Sequence, residues 1–256
     1  MARSIVLALL AALGSSGPLG SCYGVENRMT LMPDGTGKVE VLISQKPEDE
    51  KDLKKPFDLL EFVESSTGVA AFSPAKTEIK DGWRHSRFTA YFDDVNKVYY
   101  NADGPGREER DLHDECLHFK LERQGEGFIL TMEDWIFNRG PGRGDPTEKW
   151  EQVREESANV VAWSFNLFGK VAKTDGFQRV EGRQAVYERS PKTILKLEDA
   201  VKWPVCARRR IEFGKSELAE TDIVAFRAEL ATAKAAWPKI REDLEAARRK
   251  AEAEKK

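Results

Sequence analysis

Asp111, His113, Asp114, Cys116 and His118 place five metal-ligating or proton-moving side chains within one short stretch of the chain. If a strand begins near Asp114, residues two apart share a face, so Asp114, Cys116 and His118 project together, opposite the apolar Leu117, Phe119 and Leu121. A carboxylate, a thiolate and an imidazole so placed could hold zinc or copper. Neither Cys-x-x-Cys nor His-Glu-x-x-His accompanies them. Polar residues on the solvent face of a strand need no ligand, and the sequence assigns no metal and no cofactor. Ser73-Pro74-Ala75-Lys76 has the Ser-x-x-Lys spacing of a serine nucleophile and its base, and Lys173-Thr174-Asp175-Gly176 is the nearest approach to a Lys-Thr-Gly partner. Catalytic Ser-x-x-Lys pairs open a helix, whereas here proline follows the serine in a strand-rich segment, and roughly one such pair is expected by chance in this composition. His85 has no patterned partner and reads as a surface histidine of a strand. The mature chain has no Gly-x-Ser-x-Gly elbow, and Gly140-Pro141-Gly142-Arg143-Gly144 lacks the ending of a phosphate loop.

The more specific chemistry lies at the start. Met1-Ala2-Arg3-Ser4 is a short basic opening, Ile5 to Leu13 is apolar, and Gly14 to Ser21 is rich in Gly, Ser and Pro. That three-part order is an export signal, and the apolar run is far short of the roughly 20 residues that span a bilayer. Leu19-Gly20-Ser21-Cys22 resembles the lipobox of bacterial lipoproteins. The resemblance implies cleavage before Cys22, a diacylglycerol on its thiol and attachment to a membrane. Tyr23 after the cysteine, rather than Asp, points by analogy with lipoprotein sorting to the outer membrane or a periplasm-facing surface.

The 256 residues carry 41 basic and 44 acidic side chains, a formal charge of -3. Without residues 1–21, the remainder suffices for one large domain or two small ones. So balanced a charge supplies no field for steering to nucleic acid, and none is expected as a partner. Three cysteines are an odd number for an exported protein. Lipidation of Cys22 leaves Cys116 and Cys206, both in strand-like segments, as a possible disulfide or as two separately buried thiols.

The elements that must position these residues follow from periodicity and turn chemistry. Val25, Met29 and Leu31, then Pro33-Asp34-Gly35-Thr36-Gly37, then Val39, Val41 and Ile43 predict a hairpin directly after the anchor. Pro56 suits the start of a helix with Phe57, Leu60 and Val63 or Glu64 on one face, ended by Gly68. Asp81-Gly82 marks a second hairpin, with Trp83, His85, Arg87, Thr89 and Tyr91 on one face and Arg84, Ser86, Phe88, Ala90 and Phe92 on the other. Cys116 to Arg123 and Phe128 to Asp134 form a third, its core face lined by Leu117, Phe119, Leu121, Phe128, Leu130 and Met132. A helix is expected from Asp145 to Val160, strand from Ala162 to Val171, a short strand through Tyr187, a helix after Ser190-Pro191, and a last strand from Val205 to Phe213.

From Thr221 onward Ile223, Phe226, Leu230, Ala233, Trp237, Ile240, Leu244 and Ala247 recur in steps of three and four, a long amphipathic helix that Pro238 should kink or divide. Packing on its own domain is favoured over an intermolecular coiled coil. The stretch beyond Leu244 reads as solvated helix fraying into a charged tail. The order predicts an α+β fold, a mostly antiparallel sheet with inserted helices and a long C-terminal helix. The divisions are a signal peptide over 1–21, a globular domain over 22–215, and helix with charged tail over 216–256.

The lipobox cysteine, the strand with its Pro33-to-Gly37 turn, and the later Gly169-Lys170-Val171, Thr174-Asp175-Gly176 and Val180-Glu181-Gly182-Arg183 are similar to the LppM-like group of bacterial envelope lipoproteins, over roughly Cys22 to Phe213. These are turns and strand edges, so no site residue is implied. The resemblance implies an α+β domain on the outer face of a membrane, without assigned activity. Members of that group usually continue into a transmembrane helix, where this chain has its charged heptad helix. The function expected is a membrane-anchored, non-catalytic lipoprotein that binds an envelope protein or an amphiphilic lipid ligand. The alternative is a metal-dependent or hydrolytic enzyme using the Asp111 to His118 cluster.

Overall fold

The computed structural model describes residues 22–46, 53, 57–101, 116–136, 160–189 and 205–253. Alternation of apolar and polar residues dominates the described chain, and the outcome is two sheets whose inner faces share one core. β1 (Cys22–Leu31) and β2 (Gly37–Lys46) are the expected first hairpin. A short helix (Leu59–Glu64), β3 (Ser66–Thr67), β4 (Val69–Phe72), β5 (Lys76–Lys80), β6 (Trp83–Phe92) and β7 (Tyr99–Asn101) follow. Then come β8 (Cys116–Gln124), β9 (Gly127–Ile136), β10 (Val160–Asn166), β11 (Val171–Asp175), β12 (Arg179–Glu181), β13 (Gln184–Arg189), β14 (Val205–Phe213) and the C-terminal helix (Glu220–Ala253). The order is β12-β13-β10-β1-β2-β6-β4 in the eight-stranded sheet, with β5 also on β6, and β11-β14-β9-β8-β7-β3 in the six-stranded sheet. Among the described residues every pairing is antiparallel but one: β10 lies parallel to β1, with Asn27 opposite Trp163. The fold is α+β, as expected, and the parallel pair is what the local pattern did not foresee.

Period-two burial explains the strands. Val25, Met29 and Leu31 of β1, Val39, Val41 and Ile43 of β2, and Phe88, Ala90 and Phe92 of β6 all face the common core. From the other sheet Leu117, Phe119, Leu130, Met132, Ile211 and Phe213 meet them. Aromatic rings join the layers: Phe119 of β8 packs edge-on against Trp163 of β10 at 5.1 Å between centroids, and both side chains are essentially sealed from solvent. Such pairs contribute about 0.5–1.5 kcal/mol beyond the area they bury. At another point the Arg209 guanidinium of β14 lies 4.0 Å from the centre of the Tyr187 ring on β13 and donates to its hydroxyl at 2.9 Å.

Turn chemistry fixes the registers. Asp81 and Gly82 both have positive φ, 53° and 75°, the requirement of the two-residue turn that matches strand twist, and β5 and β6 close around them with Lys80 opposite Trp83. Gly68 is a different case: it has φ 75°, and a Cβ there would lie 1.8 Å from the Lys97 carbonyl oxygen. No other residue fits that crossing.

The short helix starts later and ends earlier than expected. Asp58, not Pro56, controls its start, accepting from the Leu60 amide at 2.9 Å, and it ends at Glu64, capped by Ser65 before Gly68 is reached. Proline supplies the right φ, but only a side-chain acceptor satisfies an otherwise orphaned amide. The expected helices over 145–160 and after Pro191 fall largely outside the described residues, except that Val160 already belongs to β10. The expected strand over 162–171 is two strands, since Leu167 to Lys170 turn the chain from one sheet into the other.

The C-terminal helix runs unbroken through Pro238. Phe226 and Leu230 are buried against Met32, Ala71 and Tyr91, with Ala233 and Trp237 beside them. Trp237 also meets Phe72 of β4 at 5.2 Å between ring centroids. The helix therefore covers the sheet where β4 would otherwise present an open edge. Past Pro238 it stays docked: Leu244 packs on the core, and Arg248 reaches Glu64 at 2.8 Å and Asp58 at 3.1 Å. The solvated stretch anticipated beyond Leu244 is thus clamped as far as Arg248. No helix among the described residues is long and apolar enough to cross a membrane.

Candidate functional site

Cys22 is the first residue of β1 and stands opposite Lys46, the last residue of β2. Among the described residues the ladder begins at the cysteine expected to carry an acyl group, and residues 19–21 of the expected lipobox lie outside the described residues.

Of the residues with catalytic spacing, Ser73 is held by the sheet. Its amide donates to the Thr89 carbonyl at 2.8 Å, and its Oγ accepts from the Thr89 amide at 2.9 Å. The hydroxyl thus replaces a ladder carbonyl where Pro74 interrupts the strand. Lys76 stands on β5 opposite Arg87, so Ser73 and Lys76 do not share a helix turn. Lys173 and Thr174 lie on β11 of the six-stranded sheet, paired with β14, away from the eight-stranded sheet that carries β4 and β5. The two motifs therefore do not converge.

His85 has a partner that its sequence surroundings do not reveal. Ser44 on β2 is its cross-strand neighbour, with Ser44 Oγ 2.8 Å from His85 Nδ1. The two residues are 41 positions apart, a distance at which only strand register could have paired them. In the remaining cluster, Asp111, His113 and Asp114 lie outside the described residues. His118 is stacked on Tyr99, 4.2 Å between centroids and 1° between planes, and its Nε2 donates to the Asn96 carbonyl at 3.2 Å. That hydrogen bond fixes a proton on Nε2 and turns the nitrogen from a ligand into a donor. Among the described residues no group of His, Cys, Asp and Glu is placed to hold a metal ion.

Sheet order decides the geometry of the remaining cysteines. Leu117 pairs with Asp134, so Cys116 falls beside Trp135, whose neighbour on its other side is Cys206. One whole strand separates them. Two interstrand spacings set their Cα atoms about 9.6 Å apart, beyond the roughly 7 Å that a disulfide spans without backbone movement. A disulfide between them would require β8 or β14 to leave this register, whereas two separate thiols would not.

The outer face of the eight-stranded sheet holds a shallow depression of about 600 Å³ between β1, β2, β6 and the β4–β5 connection. Glu26, Arg28, Glu40, Lys76, Arg87 and Thr89 are among its lining residues. Its charges alternate in sign, as on the solvated face of a sheet, and Arg28 and Arg87 contact Glu40 and Glu78 at 4.0 and 3.8 Å respectively. Burial raises the Glu26 carboxyl above its ordinary value, with Arg28 and Arg87 pulling it back. Ser73 also lines the depression, with its Oγ engaged by the Thr89 amide.

No family model matches the chain, and no curated protein matches it. Among solved structures, the chain is similar to the NMR structure of the folded domain of the Mycobacterium tuberculosis LppM protein, with 15% sequence identity, a TM-score of 0.38, and coverage of 75% of this chain and 90% of that one.

Proposed function

We propose that this chain is a non-catalytic envelope lipoprotein: residues 1–21 direct export, acyl chains on Cys22 hold it to the membrane, and its α+β domain receives a protein partner or an amphiphile there. The observation that carries this reading is the double role of Cys22. The residue that Leu19-Gly20-Ser21-Cys22 marks for acylation is also the first residue of β1, hydrogen-bonded into the ladder opposite Lys46. No linker intervenes between anchor and fold, so the domain sits on the headgroups. A diacylglycerol with a third acyl chain partitions strongly, at roughly 0.8 kcal/mol per buried methylene.

The non-catalytic half of the reading is supported by how Ser73, His85 and His118 are used: one completes a ladder, one pairs with Ser44, and one stacks on Tyr99. Tyr23 after the acylated cysteine favours the outer membrane as destination.

Expression of the full chain in a diderm bacterium tests the anchor. The wild type should fractionate with membranes and carry the added mass of acyl chains on a mature chain that begins at Cys22. Cys22→Ala should be soluble and lack that mass. A variant that stays with the membrane, or a wild type without acyl mass, would overturn the reading.

A further inference from the structure

The terminal row of the eight-stranded sheet brings together four residues from four strands. Cys22 is opposite Lys46. Gln45 is opposite Arg84, so the next pair outward is Lys46 with Trp83. Trp83 is in turn opposite Lys80 across the β5–β6 turn. Cys22, Lys46, Trp83 and Lys80 therefore form one line across β1, β2, β6 and β5. Three interstrand spacings make that line about 14 Å long.

What surrounds the line is suited to a membrane surface. Lys46 and Lys80 are exposed and Trp83 is half-buried. Ile79, beside Lys80 on β5, is 53% exposed, one of three large apolar side chains so placed among the described residues. Every residue of β5 is exposed, so the tip Ile79-Lys80-Asp81-Gly82-Trp83 projects with an apolar residue, a cation and an indole. Tryptophan prefers the headgroup region, and lysines near anionic lipid are attracted to it. Asp81 is the single acid of the tip. The acidic run Glu48 to Glu50 that follows Lys46 lies outside the described residues.

Resting on the reading of Cys22 as an acylated anchor, we propose that the β5–β6 hairpin is a second membrane contact, which inserts Trp83 and Ile79 at the headgroup level of an anionic bilayer while Lys46 and Lys80 pair with its phosphates. An acyl chain alone leaves a domain free to swivel. A second contact about 14 Å away fixes its tilt, and with it the direction in which the rest of the domain faces.

The experiment uses the acylated protein in vesicles of phosphatidylglycerol and brominated phosphatidylcholine. Bromine quenches indole fluorescence at short range, and the difference between wild type and Trp83→Phe isolates Trp83 from the other five tryptophans. The expected result is strong quenching of the Trp83 component. Each cation close to an anionic surface is worth about fivefold in partition. Lys46→Gln combined with Lys80→Gln should thus shift the hairpin from docked to lifted by about 25-fold, and the shift should shrink in 1 M salt. Equal quenching of wild type and Trp83→Phe in acylated protein would overturn the hairpin contact and leave the anchor standing. Protein without acyl mass whose Trp83 is still quenched would instead sink the anchor and keep the contact. Both lysine substitutions are at exposed positions, so loss of fold does not confound them.

Discussion

Tyr91 on β6 donates its hydroxyl to Glu229 on the C-terminal helix across 2.9 Å, and the same oxygen of Glu229 accepts from Lys38 on β2 at 2.8 Å. One carboxylate thus ties the helix to two strands. Burial, reinforced by Glu229, pushes the Tyr91 hydroxyl up to about 12, so it remains a donor at any physiological pH. Tyr91→Phe should cost about 1 kcal/mol, the net worth of one hydrogen bond. Glu229→Ala should cost about 1–3 kcal/mol, because it removes the bonds to both the hydroxyl and the ammonium and leaves Lys38 only the more distant Glu40, at 3.8 Å. Urea unfolding of the two variants measures this, and a wild-type midpoint for Glu229→Ala would show that the helix is not held there.

The helix itself can be cut in two places with opposite outcomes. Removal of residues 250–256 leaves the docked Leu244 and Arg248 in place and should leave the melting temperature unchanged. Removal from residue 221 onward uncovers Ala71, Tyr91 and Phe72. It also discards buried Phe226 and Leu230, each worth about 1.5–3 kcal/mol. The shorter chain should melt lower or aggregate through the exposed edge of β4. Thermal melts with sedimentation read both. A stable monomer lacking residues 221–256, derived from an oligomeric full-length protein, would favour an intermolecular coiled coil instead.

Cys116 and Cys206 should both be free thiols in the unreduced protein, since β9 lies between their strands. Intact mass after iodoacetamide under non-reducing, denaturing conditions should then show two added groups. A mass with none would mean that β8 and β14 depart from this register near those residues.

Two carboxyls should bend the stability curve in opposite senses. At Asp34 burial opposes ionisation, but hydrogen bonds from Thr36 and Arg227 outweigh it and hold the carboxyl below its ordinary value of 3.8. The folded state then binds the proton less tightly than the unfolded state. The stability it lends is present above about pH 4 and is lost as pH falls through the folded value. Glu26 is the reverse, raised above 4.5 by burial, so stability is fullest below that value and declines as pH rises through the folded one. Glu26→Gln should therefore melt higher than wild type at pH 7 and equal to it near pH 3, whereas Asp34→Asn should melt lower at pH 7 and converge on wild type in acid. Melting curves at the two pH values distinguish the signs.

The sequence by itself determined what short-range physics controls. Alternation at Val39, Val41 and Ile43, and at Phe88, Ala90 and Phe92, was enough to assign faces, because side-chain direction in a strand has a fixed period of two. Asp81-Gly82 specified its turn for the same local reason, and the α+β class followed from the order of elements. The proposed anchor at Cys22 likewise rests on linear sequence, since export signals are read that way. Only the tertiary structure decided the long-range pairings: β10 parallel to β1, Ser44 against His85, Glu229 under Tyr91, and one strand between Cys116 and Cys206. The terminal row of Cys22, Lys46, Trp83 and Lys80 belongs to that second group. Its members are up to 61 residues apart, and only the registers of three successive strand pairs place them side by side. Register is set cooperatively by the buried face of the whole sheet, so no local window of the chain contains it.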